Sequence, residues 1–179
     1  MANAEEIEIR INSLEQLFNS LDPAPFRERE LDREAERHIV SWAREVAPEK
    51  DIQLLVYLPA ALVDPDIERQ LAAAVRHHFE LLARDKADEL GELRRIGRKG
   101  LVVGLLVMLF ATLSGLALNN AYPGSSFADT LEHSIIIFGW VALWRPIEVL
   151  LYDRWPVLRA RKLFERLAAA PVVVRPAAG

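Results

Sequence analysis

No charged side chain occurs between Gly100 and Ala128, and the run from Leu101 to Leu118 is almost wholly apolar. A helix of that run rises roughly 27 Å, close to the hydrocarbon thickness of about 30 Å, a length that a core helix of a small soluble domain does not need without charge. The run therefore predicts a membrane span. A second apolar stretch starts near His133, reads HSIIIFGWVALW, meets Arg145, Pro146 and Glu148, and continues through VLLY to Asp153. From Ser134 to Tyr152 it amounts to about 28 Å of helix, just enough to cross. Its rival is a re-entrant or interfacial helix ending at Arg145, because Pro removes a helix hydrogen bond and biases the residue before it away from αR.

Flanking charge favours the full crossing. Arg94, Arg95, Arg98 and Lys99 precede the first run, Arg154, Arg159, Arg161, Lys162 and Arg166 follow the second, and the segment between them, NNAYPGSSFADTLEH, has no Lys or Arg. By the positive-inside rule both termini are then cytoplasmic and the short acidic loop faces outward. The opening MANAEEIEIR is acidic and lacks an apolar core. No cleavable signal is expected, and the first span would serve as the targeting signal.

Charge is split along the chain. Residues 1–90 hold 11 Lys+Arg against 20 Asp+Glu, whereas residues 91–179 hold 11 against 6. Phosphate contacts need a basic face, so the acidic half argues against nucleic acid as a partner. With 27% charged residues in 179, the chain cannot be wholly embedded and must be bipartite. Cysteine is absent, which removes disulfides, thiolate metal sites and a Cys nucleophile.

In the acidic half, Ile7, Ile9 and Ile11 alternate with Glu6, Glu8 and Arg10, the period of a half-buried strand. Ser13 followed by Leu14, Gln16, Leu17, Phe18 and Leu21 predicts a short helix with a capping box, broken by Asp22-Pro-Ala-Pro. Leu31, Ala35, Ile39, Trp42 and Val46 recur at helical spacing, and Ile52 to Leu58 reads as a strand buried on both sides. Strand, helix, strand implies a parallel pair joined by a right-handed crossover. Asp64-Pro65-Asp66 supplies an N-cap, a first-position Pro and first-turn acid, and Ile67, Leu71, Ala74, Val75, His78 and Leu82 form the buried stripe of the next helix. Past Arg84 the stripe is lost. The continuation to Lys99 reads as a charged, largely helical stalk weakened at Gly91 and Gly97.

Val157 to Ala169 is amphipathic and cationic, which beside a bilayer predicts an interfacial helix. The tail Pro171-Val-Val-Val-Arg175 is expected to add a third strand and cover a sheet edge, the alternative being a free tail. The domains so predicted are a cytoplasmic α+β domain of two or three strands and about three helices (1–84), a stalk (85–99), transmembrane helix 1 (100–119), an external loop (120–132), transmembrane helix 2 (133–152), and a cytoplasmic basic helix with tail strand (153–179).

Few residues suggest chemistry. His77 and His78 point about 100° apart on a helix and cannot share one ion, so neither a metal nor a cofactor site is expected, and His78 reads as a packed core residue. No nucleophile elbow, phosphate loop, dinucleotide fingerprint or zinc-helix motif occurs, leaving an enzyme unsupported rather than excluded. Gly100, Gly104, Ala111 and Gly115 fall within about 60° of one another on a helical wheel. Such a face lets another helix backbone approach closely, whether the second span or another copy. Arg145 and Glu148 form an intramembrane polar pair on the side shared with Tyr152, either functional or an anchor in which Arg145 reaches the headgroups. Trp140, Trp144, Tyr152 and Trp155 read as interfacial anchors.

The segment GWVALWRPIEVLLYDRWP and the stretch Phe18 to Phe26 resemble small bacterial two-span membrane proteins, a family with no activity attached. The resemblance implies a bacterial inner-membrane setting and supplies no cofactor or catalytic residue. Taken together, the sequence predicts a membrane-anchored, non-enzymatic assembly or protein-interaction module, whose partners are the bilayer and a second copy or another protein. The alternative is a subunit of an oligomeric channel or transporter.

Overall fold

The computed structural model describes residues 4–19 and 29–177, with only the backbone at residue 128. Residues 20–28, which include Leu21, the Asp22-Pro-Ala-Pro break and most of the Phe18 to Phe26 segment, lie outside the described residues. The fold is α+β. Its elements in chain order are β1 (Glu5–Arg10), α1 (Arg33–Glu45), β2 (Ile52–Leu58), α2 (Pro65–Ala121), α3 (Ser126–Glu148), a π-helical segment (Val149–Asp153), α4 (Arg154–Ala169) and β3 (Val172–Pro176). They divide into two compact units, one made of residues 1–86 with 159–179, the other of residues 87–158.

The first unit is built on a three-stranded parallel sheet in the order β1-β2-β3. Its register aligns Ile7 with Leu54 and Val172, and Ile9 with Val56 and Val174, so alternate residues of all three strands form one apolar ladder. Ile39, Val40 and Ala43 of α1, Leu71, Ala74, Val75 and Phe79 of α2, and Phe164 and Leu167 of α4 pack into the same core. All three helices thus lie against one face of the sheet. Leu55, on the opposite face, is also fully buried.

Local signals explain where these elements start. The Asp32 side chain accepts from Glu34 N–H at 2.8 Å, and Asp64 Oδ1 accepts from Asp66 N–H at 2.9 Å, so each Asp satisfies an orphan donor of its helix. Lys50 Nζ donates to Glu5 Oε2 at 2.9 Å, tying the start of β1 to the turn before β2, and this carboxylate raises the Lys50 pKa above its ordinary value. The tail is the third strand: β3 pairs with β2 over Val172 to Pro176.

Several expectations are corrected. The apolar face of α4 is not left for a bilayer: Phe164 stacks on Phe79 with ring centroids 6.2 Å apart, Leu167 is fully buried, and Arg166 donates to the carbonyls of Ala47 and Lys50 at 3.0 and 2.8 Å. Its apolar face is satisfied by the core of the first unit, which leaves its cations at the surface. Trp42, assigned to the buried stripe of α1, is 53% exposed, because Val40 and Ala43 turn inward instead. Phe79 takes a central place that the stripe reading missed. The helix expected after Ser13 is a single 3-10 turn, Leu14–Gln16, without a Ser13 side-chain cap; the Gln16 side chain instead accepts from Asn12 N–H at 2.9 Å. Phe18 then bridges to Leu31.

Because Val172 and Val174 are both buried, removing residues 171–179 should destabilise the first unit by roughly 3 kcal/mol or more from apolar burial alone. Thermal unfolding of the truncated chain checks this, and an unchanged melting temperature would show that β3 contributes nothing.

Candidate functional site

In the second unit, α2 and α3 form a helical hairpin closed by the turn at Tyr122 to Ser125, where Gly124 takes φ +77°. The segment read as a loop over 120–132 is helical from Ser126 onward. Neither Gly91 nor Gly97 interrupts α2, and α3 does not end at Arg145 but passes through Pro146 to Glu148. Both helical runs are long and apolar enough to cross a membrane, and only 17% of each apolar window is buried within the structure. A core helix of a soluble protein would be mostly buried. Here Phe110, Phe138 and Trp144 are each more than 70% exposed. The hydroxyls of Thr112 and Ser134 donate to backbone carbonyls one turn back, of Met108 and Thr130, at 2.9 Å each, which keeps them satisfied where no water is needed.

The predicted small-residue face meets α3 of the same chain. A Cβ on Gly104 would lie 2.8 Å from Leu143 Cδ2 and 3.0 Å from the Ala142 carbonyl; Gly100 faces Pro146, and Gly115 faces the Glu132 side chain. Ala111 is buried and meets Gly139 of α3, a glycine that the reading of the first run alone could not find. Pro146 has no N–H for the Ala142 carbonyl four residues earlier, and it is this carbonyl that approaches Gly104. Close approach at Gly104 and the proline are one arrangement.

Just beyond, the chain widens into the π-helical segment. Arg145 donates to Glu148 Oε2 at 3.0 Å, and its second guanidinium nitrogen lies 3.9 Å from Asp153 Oδ2. Asp153 rather than Tyr152 joins the pair, because i→i+5 pairing uses an extra residue per turn and rotates Asp153 back toward Arg145. Arg145 is exposed on the hairpin, as are Trp140, Trp144, Tyr152 and Trp155.

His78 occupies a different place, buried in the first unit. Its Nδ1 accepts from Leu31 N–H at 3.3 Å, which assigns the proton to Nε2, 3.1 Å from Glu36 Oε2. One ring nitrogen thus holds the chain before α1 and the other holds α1 itself against α2. Among the described residues no group of three His, Cys, Asp or Glu could hold a metal ion. Comparison with protein families, with characterised proteins and with solved structures finds no match.

Two outcomes test the hairpin in lipid nanodiscs. Gly104→Leu should force the helices apart and cost on the order of 2–3 kcal/mol in thermal unfolding, whereas Gly91→Ala, with open space around it, should stabilise by about 0.5–1 kcal/mol. In a double-mutant cycle, Arg145→Met and Glu148→Gln should couple by about 1 kcal/mol, a figure limited by their exposure. Additive effects would mean that headgroups and water solvate each side chain separately.

Proposed function

We propose that this chain is a membrane-anchored, non-enzymatic protein-interaction module, with the α+β unit in the cytoplasm and the hairpin crossing the inner membrane twice. One observation carries the reading: both ends of an apolar, outwardly exposed hairpin return to a single hydrophobic core. Residues 1–86 and 159–179 build the same unit, with β3 paired to β2 and Phe164 stacked on Phe79. A hairpin whose two ends feed one core must enter and leave a bilayer on the same side. The basic flanks and the Lys/Arg-free turn support the cytoplasm as that side. The likeness of residues 139–156 to small bacterial two-span proteins agrees with it.

The exposed Arg145 with the half-buried Glu148 and Asp153 favours a second reading, a subunit of an oligomeric channel or transporter in which these charges line a path between copies. Two helices enclose no pore alone. The module reading takes precedence because the small-residue face is already occupied by α3 of the same chain, which removes the most direct helix-packing surface for a ring.

Topology and assembly are separately measurable. A reporter fused after Gly179 should be active only in its cytoplasmic form, and one inserted between Gly124 and Ser125 only in its periplasmic form; periplasmic activity after Gly179 would overturn the two-span hairpin. Native mass measurement in nanodiscs should not give a closed ring of fixed copy number, and finding one would promote the channel subunit.

A further inference from the structure

The two edges of the sheet are treated differently by the chain. Glu5 N–H donates to the Asp51 carbonyl at 2.8 Å and Ile11 N–H to the Tyr57 carbonyl at 3.1 Å. Backbone groups of a strand alternate sides residue by residue, so the odd residues of β1 bond to β2 while Glu6, Glu8 and Arg10 turn their N–H and C=O outward. On the far edge, Leu54 N–H donates to the Pro171 carbonyl at 2.9 Å and Ala177 N–H to the Leu58 carbonyl at 2.7 Å, which turns Val172, Val174 and Pro176 outward. That edge is guarded. Val174 N–H is held by the Glu68 carboxylate at 3.4 Å, and Pro176 has no N–H to offer. Among the described residues nothing takes the outward N–H of Glu6, Glu8 or Arg10.

Beside the open edge runs a groove of about 700 Å³ bounded by β1 and α1. Four carboxylates line it, Glu6, Glu8, Asp32 and Glu34, against the single guanidinium of Arg10. Trp42 lines it too, and its exposure, costly for so large an apolar ring, lies where an incoming side chain would cover it.

We propose that the β1 edge receives an extended basic segment of a partner protein as a fourth strand, main chain to main chain, with its Lys or Arg side chains against the carboxylates and an apolar side chain on Trp42. This rests on the interaction-module reading and names that module's partner chemistry. A second copy of the chain is disfavoured at the same edge, since its own β1 carries Glu5, Glu6 and Glu8 and would meet like charge.

The test uses the full chain in phosphatidylcholine nanodiscs, with empty nanodiscs as control, titrated with fluorescent six-residue peptides that alternate lysine with valine, leucine or phenylalanine. Saturable binding is expected. Glu8→Pro, which removes an outward donor and leaves the Ile7 and Ile9 bonds to β2 in place, should weaken it at least tenfold; Glu34→Lys, remote from the pairing, should weaken it about fivefold and serves if Glu8→Pro fails to fold. N-methylation of one alternate set of peptide amides should abolish binding and of the other set leave it. Absence of saturable binding at millimolar peptide overturns the proposal, as does binding that is indifferent to the methylation pattern, which would be charge attraction alone. A dimer that Glu8→Pro or Glu34→Lys converts to monomer would place a second copy at the edge instead. None of the peptide results alters the reporter topology, so the module reading stands or falls separately.

Discussion

The pairing of β3 with β2 joins the two ends of the chain into one core, and the rest of the architecture depends on that closure. Without β3 the central strand would expose its second edge, and Val172 and Val174 would leave the core that α4 shares. With it, residues 87–158 become an insertion between two parts of one folded unit. Chain connectivity thus ties both ends of the hairpin to one hydrophobic core, independently of the flanking cations. The positive-inside rule is a statistical bias; a shared core is a covalent and packing constraint.

The helical hairpin solves a different problem, that of bringing two backbones together without polar groups to spare. Gly104, Gly139 and Ala111 allow the approach, and Pro146 leaves the Ala142 carbonyl facing Gly104 across the contact. A proline inside a helix ordinarily costs about 3 kcal/mol or more. Here the helix continues through Pro146 into the adjoining π-helical segment, which sets Asp153 beside Arg145.

Exposed features fall into two kinds. The outer apolar surface of the hairpin is broad and continuous, which matches a liquid solvent such as lipid. The β1 edge is narrow, directional and acidic, which matches one extended chain. Guarding of β3 by Glu68 and Pro176 sharpens the contrast, because both edges face the same hazard of unintended pairing and only one is protected.

Several patterns that depend on near neighbours were determined by the sequence alone, although the capping box at Ser13 gave only a 3-10 turn. The alternation around Ile7 and Ile9, the Asp64-Pro65 helix start, the buried run Ile52 to Leu58 and the two long apolar stretches are all local, set by side-chain period and capping chemistry. The small-residue face was legible as a face, and the Arg145–Glu148 pair as a pair, because both lie within a few turns of one helix. What covers a face was decided only in three dimensions. Amphipathicity states that the apolar side of α4 must leave water, without saying whether lipid or Phe79 receives it; the sheet made the choice by placing β3 immediately after α4. Trp42, expected inside, is exposed and Phe79, not singled out, is buried, because helix faces are assigned by what packs opposite, and that partner is distant in sequence. The same holds for the partner of Gly104, the return of Asp153 toward Arg145, and the difference between the two sheet edges, each of which depends on contacts or a helical register that no local spacing encodes.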